Sequence, residues 1–194
     1  MRIFILTLFL SLLLTSIAQA TDYSQDLNDF INIEIKSWIN NDIVIDYLKN
    51  QNEKNSTLLE SDLKILDNKW QSEARKVNQV LISQVVNNDL SQFLKKIQTT
   101  SQGVYTEISI IDNKGLCVGQ SITSEHYWYG EEKLWGQTFK TKSYSTYISD
   151  IYYSDTTNKF QVQIAFMIIS DEQPIGVITA GIDVEQLEDW KKRK

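Results

Sequence analysis

The placement of chain-breaking residues constrains this sequence more than any other feature. All seven glycines (Gly103, Gly115, Gly119, Gly130, Gly136, Gly176 and Gly181) and the single proline, Pro174, lie in the second half of the chain. From Thr21 to Gln102 there is no strong helix breaker at all. Leu27, Ile31, Ile35 and Trp38 recur at spacings of four, four and three, which is one apolar stripe of a long amphipathic helix. Ile43, Val44, Tyr47 and Leu48 continue the pattern after a bend near Asn40-Asn41, and the polar stretch 50–56 reads as a loop. Leu63, Leu66 and Trp70 predict another helix with Ser61 as its cap. Val77, Val80, Leu81 and Val85 predict a further one, and Asn88-Asp89 opens a short helix carrying Leu90, Phe93, Leu94 and Ile97.

Beyond Gly103 the period changes to that of strands. Tyr105 to Ile111 and Leu116 to Ser121 read as a hairpin, because Asp112-Asn113-Lys114-Gly115 between them is turn chemistry. Ser145 to Tyr153 reads as a third strand and Phe160 to Ile169 as a fourth, joined by the turn Asp155-Thr156-Thr157-Asn158. The alternating Phe160, Val162, Ile164, Phe166 and Ile168 give the fourth strand one apolar face. Pro174 to Ile182 is apolar on both faces near its end, as a central strand is, and Val184 to Trp190 closes as a short helix. Helices followed by a five-stranded antiparallel meander make an α+β domain.

Composition removes several function classes. Nineteen basic against 25 acidic residues leave a net charge of −6, contrary to the concentrated basic face that nucleic acid requires. One cysteine excludes an intramolecular disulfide and a multi-thiolate zinc site, and one histidine leaves little room for a catalytic triad. Cys117, between Leu116 and Val118, reads as a buried inert thiol, with intermolecular pairing or redox sensing as the alternative. Glu131 and Glu132 are adjacent and diverge, unlike paired glycosidase carboxylates facing each other across a cleft. With no Gly-rich phosphate loop and no nucleophile elbow, the chain reads as a non-enzyme without cofactor or metal.

Residues 1–20 read as an export signal. Met1-Arg2 is followed by an apolar run from Ile3 to Ile17 and then by Ala18-Gln19-Ala20, a small-residue cleavage site. The run falls short of the about 20 residues that span a bilayer comfortably, although an uncleaved anchor is the rival reading. The expected location is the periplasm.

The connection between the second and third strands has an unusual composition. Eleven of the 21 aromatic residues fall between Tyr127 and Phe166. A long aromatic connection suits a lid over a sheet, and a second small core is the alternative. Candidate ligand-binding residues are Tyr127, Trp128, Tyr129, Glu131, Glu132 and Trp135 on the connection, with Asp150, Tyr152 and Asp183 on strands. Asp150 is expected on a strand face between Ile148 and Tyr152, where an acid, if buried, needs a partner. Glu107 within the first strand and Asp183 at the end of the fifth are further acids, each more commonly a strand acid in water, and His126 beside the aromatics offers a pH-sensitive group, with plain polar surface as the commoner reading.

The run Glu107-Ile108-Ser109-Ile110-Ile111-Asp112, then Gly115, Val118-Gly119-Gln120-Ser121, Thr123-Ser124-Glu125, Tyr127-Trp128 and Gly130-Glu131-Glu132-Lys133 resembles the extracytoplasmic PAS-like sensor modules called Cache or PDC domains. Phe160 to Gln163 and Pro174 to Asp183 resemble that family's fourth and fifth strands. The resemblance implies one domain over 21–194, with a helical region (21–102) led by a long N-terminal helix and a PAS-like sheet with ligand loop and C-terminal helix (103–194). It further implies a small molecule held between the sheet and the loop, dimerisation through the N-terminal helix, and signalling to a chemoreceptor, kinase or diguanylate cyclase. No membrane helix follows the domain, so the expected form is a free-standing periplasmic sensor with a separate inner-membrane signalling partner. The alternative is a protein-interaction module with a vestigial pocket, working through its helix or aromatic loop. Beyond residue 20 the only arginines are Arg75 and Arg193, which disfavours an arginine-clamped carboxylate. Acids near aromatics favour a small cationic or zwitterionic ligand.

Overall fold

The computed structural model describes residues 25–194, so the expected signal 1–20 and its cleavage site lie outside the described residues. The first helix, α1, runs over 25–38, and its middle turn, Ile31–Ile35, is π-helical. The winding follows from the sequence. A strict four-residue repeat (Leu27, Ile31, Ile35, Ile39) overshoots a 3.6-residue turn by about 40° per step. The wider π turn unwinds that drift and keeps all four residues buried on one side. Asn41 then caps α2 (Asp42–Lys54) by accepting from the Ile43 amide at 3.1 Å.

The helix α3 (Glu60–Glu73) starts earlier than Ser61 predicts. The Asp62 carboxylate reaches back to the Leu59 amide at 2.9 Å and fixes the first turn there. At the other end the buried Glu73 carboxylate accepts from the amides of Leu81 (2.7 Å) and Ile82 (3.1 Å), so it nucleates α4 (Val80–Val86). Val77, expected on that helix's apolar stripe, is fully exposed ahead of it. Asn88 caps α5 (Asp89–Thr100) through the Ser91 amide.

The strands are β1 (Tyr105–Asp112), β2 (Cys117–Gln120), β3 (Tyr147–Ile148), β4 (Tyr152–Ser154), β5 (Lys159–Ser170) and β6 (Gln173–Asp183). They form one antiparallel sheet in the order β2-β1-β6-β5-β3, with β4 also on β5. The connectivity is therefore not a simple meander: the first strand pairs with the last, and both lie centrally. The expected third strand is two short pieces. Ser149 breaks it, because its side-chain Oγ, rather than a backbone carbonyl, accepts the Gln163 amide at 2.9 Å. Between the pieces Asp150 leaves the sheet and is exposed, which corrects its expected place on a strand face. The connection from β2 carries α6, the helical residues Lys133–Trp135 continued by the π turn Gly136–Lys140. Asp183 caps the closing helix α7 (Val184–Lys192).

One sheet face packs on α1, α2, α5 and α7 through Ile108, Ile110, Ile164, Ile178, Ala180 and Ile182. A second cluster joins Trp70 of α3 to Tyr127, and a third lies under α6. The stretch 50–54, expected as a loop, stays helical because its polar side chains bond to the hairpin. Gln51 and Asn55 donate to Asp112 Oδ2 at 3.0 Å each, and Asn52 donates to the Ile175 carbonyl at 2.7 Å. Asp112 Oδ1 meanwhile accepts the amides of Lys114 (2.8 Å) and Leu116 (2.9 Å), closing a turn in which Gly115 takes φ +89°.

Asp112→Ala strands these four donors around a fully buried position. The substitution is expected to cost about 3 kcal/mol, read as a lower urea midpoint with an unchanged slope.

Candidate functional site

Strand alternation decides what the second face of the sheet presents. Glu107, Ser109 and Ile111 of β1 share it with Gln161, Gln163, Ala165 and Met167 of β5, and with Val177, Thr179 and Gly181 of β6. The apolar end, Ile111, Ala165, Met167 and Val177, is roofed by Trp135 of α6, which stacks on Phe139 at 4.6 Å and 13°. The other end is polar, and its side chains form one network. Thr157 donates to Gln161 Oε1 (2.8 Å), and Gln161 Nε2 donates to the Tyr152 hydroxyl (2.8 Å). Tyr152 in turn donates to Gln163 Oε1 (3.1 Å), whose Nε2 reaches Thr179 (2.6 Å). Gly181 permits the crowding: a Cβ there would meet Thr106 Oγ1 at 2.2 Å and Gln161 Nε2 at 3.0 Å.

Glu107 sits at the edge of this network. Among the described residues its side chain has one hydrogen bond, from Gln161 Nε2 at a long 3.4 Å, and no lysine, arginine or histidine pairs with it. Lys159, on the same face, is held 3.0 Å from Asp183. Burial therefore pushes the Glu107 carboxyl above the ordinary glutamate range, and the Gln161 amide opposes this only in part. The phenols of Tyr129 and Tyr152 are both raised by burial, and the charge of Glu107 raises both further. A buried acid with no counter-cation among the described residues attracts a positive charge.

The expected site residues divide among several places. Tyr129 and Tyr152 interact with Glu107. Tyr127 is buried in the second cluster, stacked on Trp70 at 5.3 Å and 12°, and its amide is held by Asp67 at 2.8 Å. Trp128, Glu131 and Trp135 line a separate cleft of about 390 Å³ with Lys114, Phe139 and Lys140. Lys64 of α3 approaches two of these residues, 3.2 Å from Glu131 and 5.7 Å from the centre of the Trp128 ring. Glu132 is exposed, as is Asp150. Asp183 is committed to the fold: Oδ1 accepts the amides of Glu185 and Gln186, and Oδ2 pairs with Lys159. Sequence reasoning missed Ser109, Gln161, Gln163 and Thr179. The available signal was two glutamines alternating with the apolar face of β5, a face opposite the first that is not solvent.

Cys117 is fully buried and its thiol is pushed up by that burial, so it is held as the neutral thiol. Among the described residues no group of three or more His, Cys, Asp or Glu could hold a metal ion.

No family model matches the sequence, and no curated protein matches it. Among solved structures the chain is similar to the sensory domain of the Campylobacter jejuni chemoreceptor Tlp3, with 12% identity over 74% of this chain and 60% of that one and a TM-score of 0.41. It is also similar to the sensor domain of the V. cholerae histidine kinase DctB, with 13% identity over 89% of this chain and 58% of that one and a TM-score of 0.39. This chain spans about three fifths of the length of each.

The position of Glu107 has a measurable signature. A carboxyl raised in the folded state favours folding in acid and weighs against it once pH climbs past its folded pKa. Glu107→Gln is expected to melt higher than wild type at pH 7 to 8. The gap should vanish below the ordinary glutamate pKa of about 4.3, as thermal unfolding across pH will show.

Proposed function

We propose that this chain is an extracytoplasmic sensor module that binds a small ligand bearing a positive charge on the polar end of its outer sheet face. The observation that carries the reading is Glu107, a largely buried acid whose side chain meets only the Gln161 amide, at 3.4 Å, with no cation of the described protein paired with it and with its charge felt by Tyr129 and Tyr152. An ammonium group placed there meets a carboxylate and aromatic walls, and the Gln161–Tyr152–Gln163 relay holds the polar rim in one arrangement. Lys133, whose ammonium lies 6.0 Å from the centre of the Tyr147 ring, supplies a charge for the carboxylate of a zwitterion. Tyr129 and Tyr152 are the site residues the sequence shares with this reading, and the aromatic connection forms its cover.

The export-type start of the sequence supports a periplasmic location, and no described helix is long and apolar enough to cross a membrane. The same reading assigns output to a separate inner-membrane signalling protein. The helix α7 is the natural route, because its capping residue Asp183 pairs with Lys159, two positions before Gln161.

A thermal-shift panel of amines, amino acids, organic acids and divalent cations tests the reading. A ligand at 100 times its dissociation constant adds about 2.7 kcal/mol, a shift of several degrees for a domain of this size. The expected hit is an amine or a zwitterion whose shift disappears in Glu107→Gln and survives in Asp150→Ala. Shifts from anions alone, or an amine shift that persists in Glu107→Gln, would overturn it.

A further inference from the structure

The outer edge of β5 carries a second, independent feature. On its inner side β5 pairs with β6 from Gln161 to Ser170, whereas on its outer side β4 and β3 cover it only as far as Ala165. Ladder bonds alternate in an antiparallel pair. The Ser149 amide bonds to the Gln163 carbonyl, so the odd residues of β5 direct their backbone groups outward. Beyond Ala165 these are Met167 and Ile169, and no described strand meets them. The chain leading into β3 turns away instead: the Ser143 amide bonds to the Thr138 carbonyl, and the Ser145 amide to Ser143 Oγ.

This departure opens a groove of about 380 Å³ between α1 and the edge of β5. Ile31, Ile39, Phe166 and Ile168 give it apolar lining, and Asn32 and Thr146 give it polar sides. Lys36 is its one charged lining residue, is exposed, and makes no ion pair among the described residues. Tyr144, 77% exposed, stands on the rim.

We infer that this groove receives an extended peptide segment of a partner protein, which adds to β5 as a further antiparallel strand. The occupant follows from the chemistry of the edge. Two outward amides and two outward carbonyls at alternate residues match an extended backbone and not a helix or a compact small molecule. Lining on either side accepts alternate side chains, and the lone Lys36 selects an acidic residue at the end nearest α1. The site is separate from the Glu107 network and does not depend on it.

The test is selection of displayed random dodecapeptides on the full chain, followed by affinity measurements with the enriched peptides as blocked synthetic segments. Binding is expected to weaken about tenfold or more in Ile169→Pro, which deletes an outward amide without removing a β5–β6 bond. It should weaken less in Lys36→Glu. N-methylation of alternate peptide amides should abolish it, a control that stands even if Ile169→Pro fails to fold. Amide exchange at Met167 and Ile169 should slow only in the complex. The inference is overturned if no peptide is enriched, or if N-methylated peptides bind as well. It is equally overturned if those two amides are already slow in the protein alone. Slowing independent of concentration would assign the edge to residues 143–146 of this chain, and slowing that rises with concentration would assign it to a second copy.

Discussion

A sheet whose central strands are buried on both faces has to be covered twice, and the rest of this structure follows from that requirement. The strands β1 and β6 carry Ile108, Ile110, Ile178 and Ala180 toward the helices, and Ile111 and Val177 away from them. The first set accounts for α1, α2, α5 and α7. The second needs α6, whose Trp135 and Phe139 roof the apolar end of the other face. The aromatic connection is thus a structural cover first. Beyond Trp135 and Phe139 the same face becomes polar while staying buried at Ser109, Gln161 and Thr179.

At that boundary lies Glu107, a carboxyl pushed upward by burial with no cation paired to it among the described residues. The other buried carboxylates described here are all engaged. Asp112 closes the hairpin turn and anchors α2, Glu73 caps α4, Asp183 caps α7 while holding Lys159, and Asp26 of α1 pairs with Lys191 of α7. Glu107 has one long hydrogen bond and no cation. A buried acid without such a task costs stability, and the proposed cationic ligand is the reading that gives that cost a function.

Much of the fold was legible because its signals are local. The absence of breakers before Gly103, the Asp112–Gly115 turn and the alternating apolar face of β5 each act within a few residues. What could not be read depends on partners distant in sequence. Residues 50–54 look like a loop, yet they stay helical through bonds to Asp112 and Ile175. The break at Ser149 depends on a side-chain oxygen finding the Gln163 amide across the ladder. The site was harder still. Aromatic density pointed at the connection, and there Tyr127 turned to Trp70 while Trp128 and Glu131 turned to an outer cleft. Gln161 and Gln163 were passed over because the second face of β5 reads as solvent-facing until α6 and the loop are placed upon it.

The most direct measurement is the titration of the Glu107 side-chain carboxyl by carbon NMR in the ligand-free protein, assigned through Glu107→Gln. A midpoint above the ordinary value of about 4.3, moving down when a cationic ligand binds, is what an uncompensated anchor predicts. A midpoint at or below that value in the free protein would mean that Glu107 already has its counter-charge, and the site would have no vacancy for a ligand to fill.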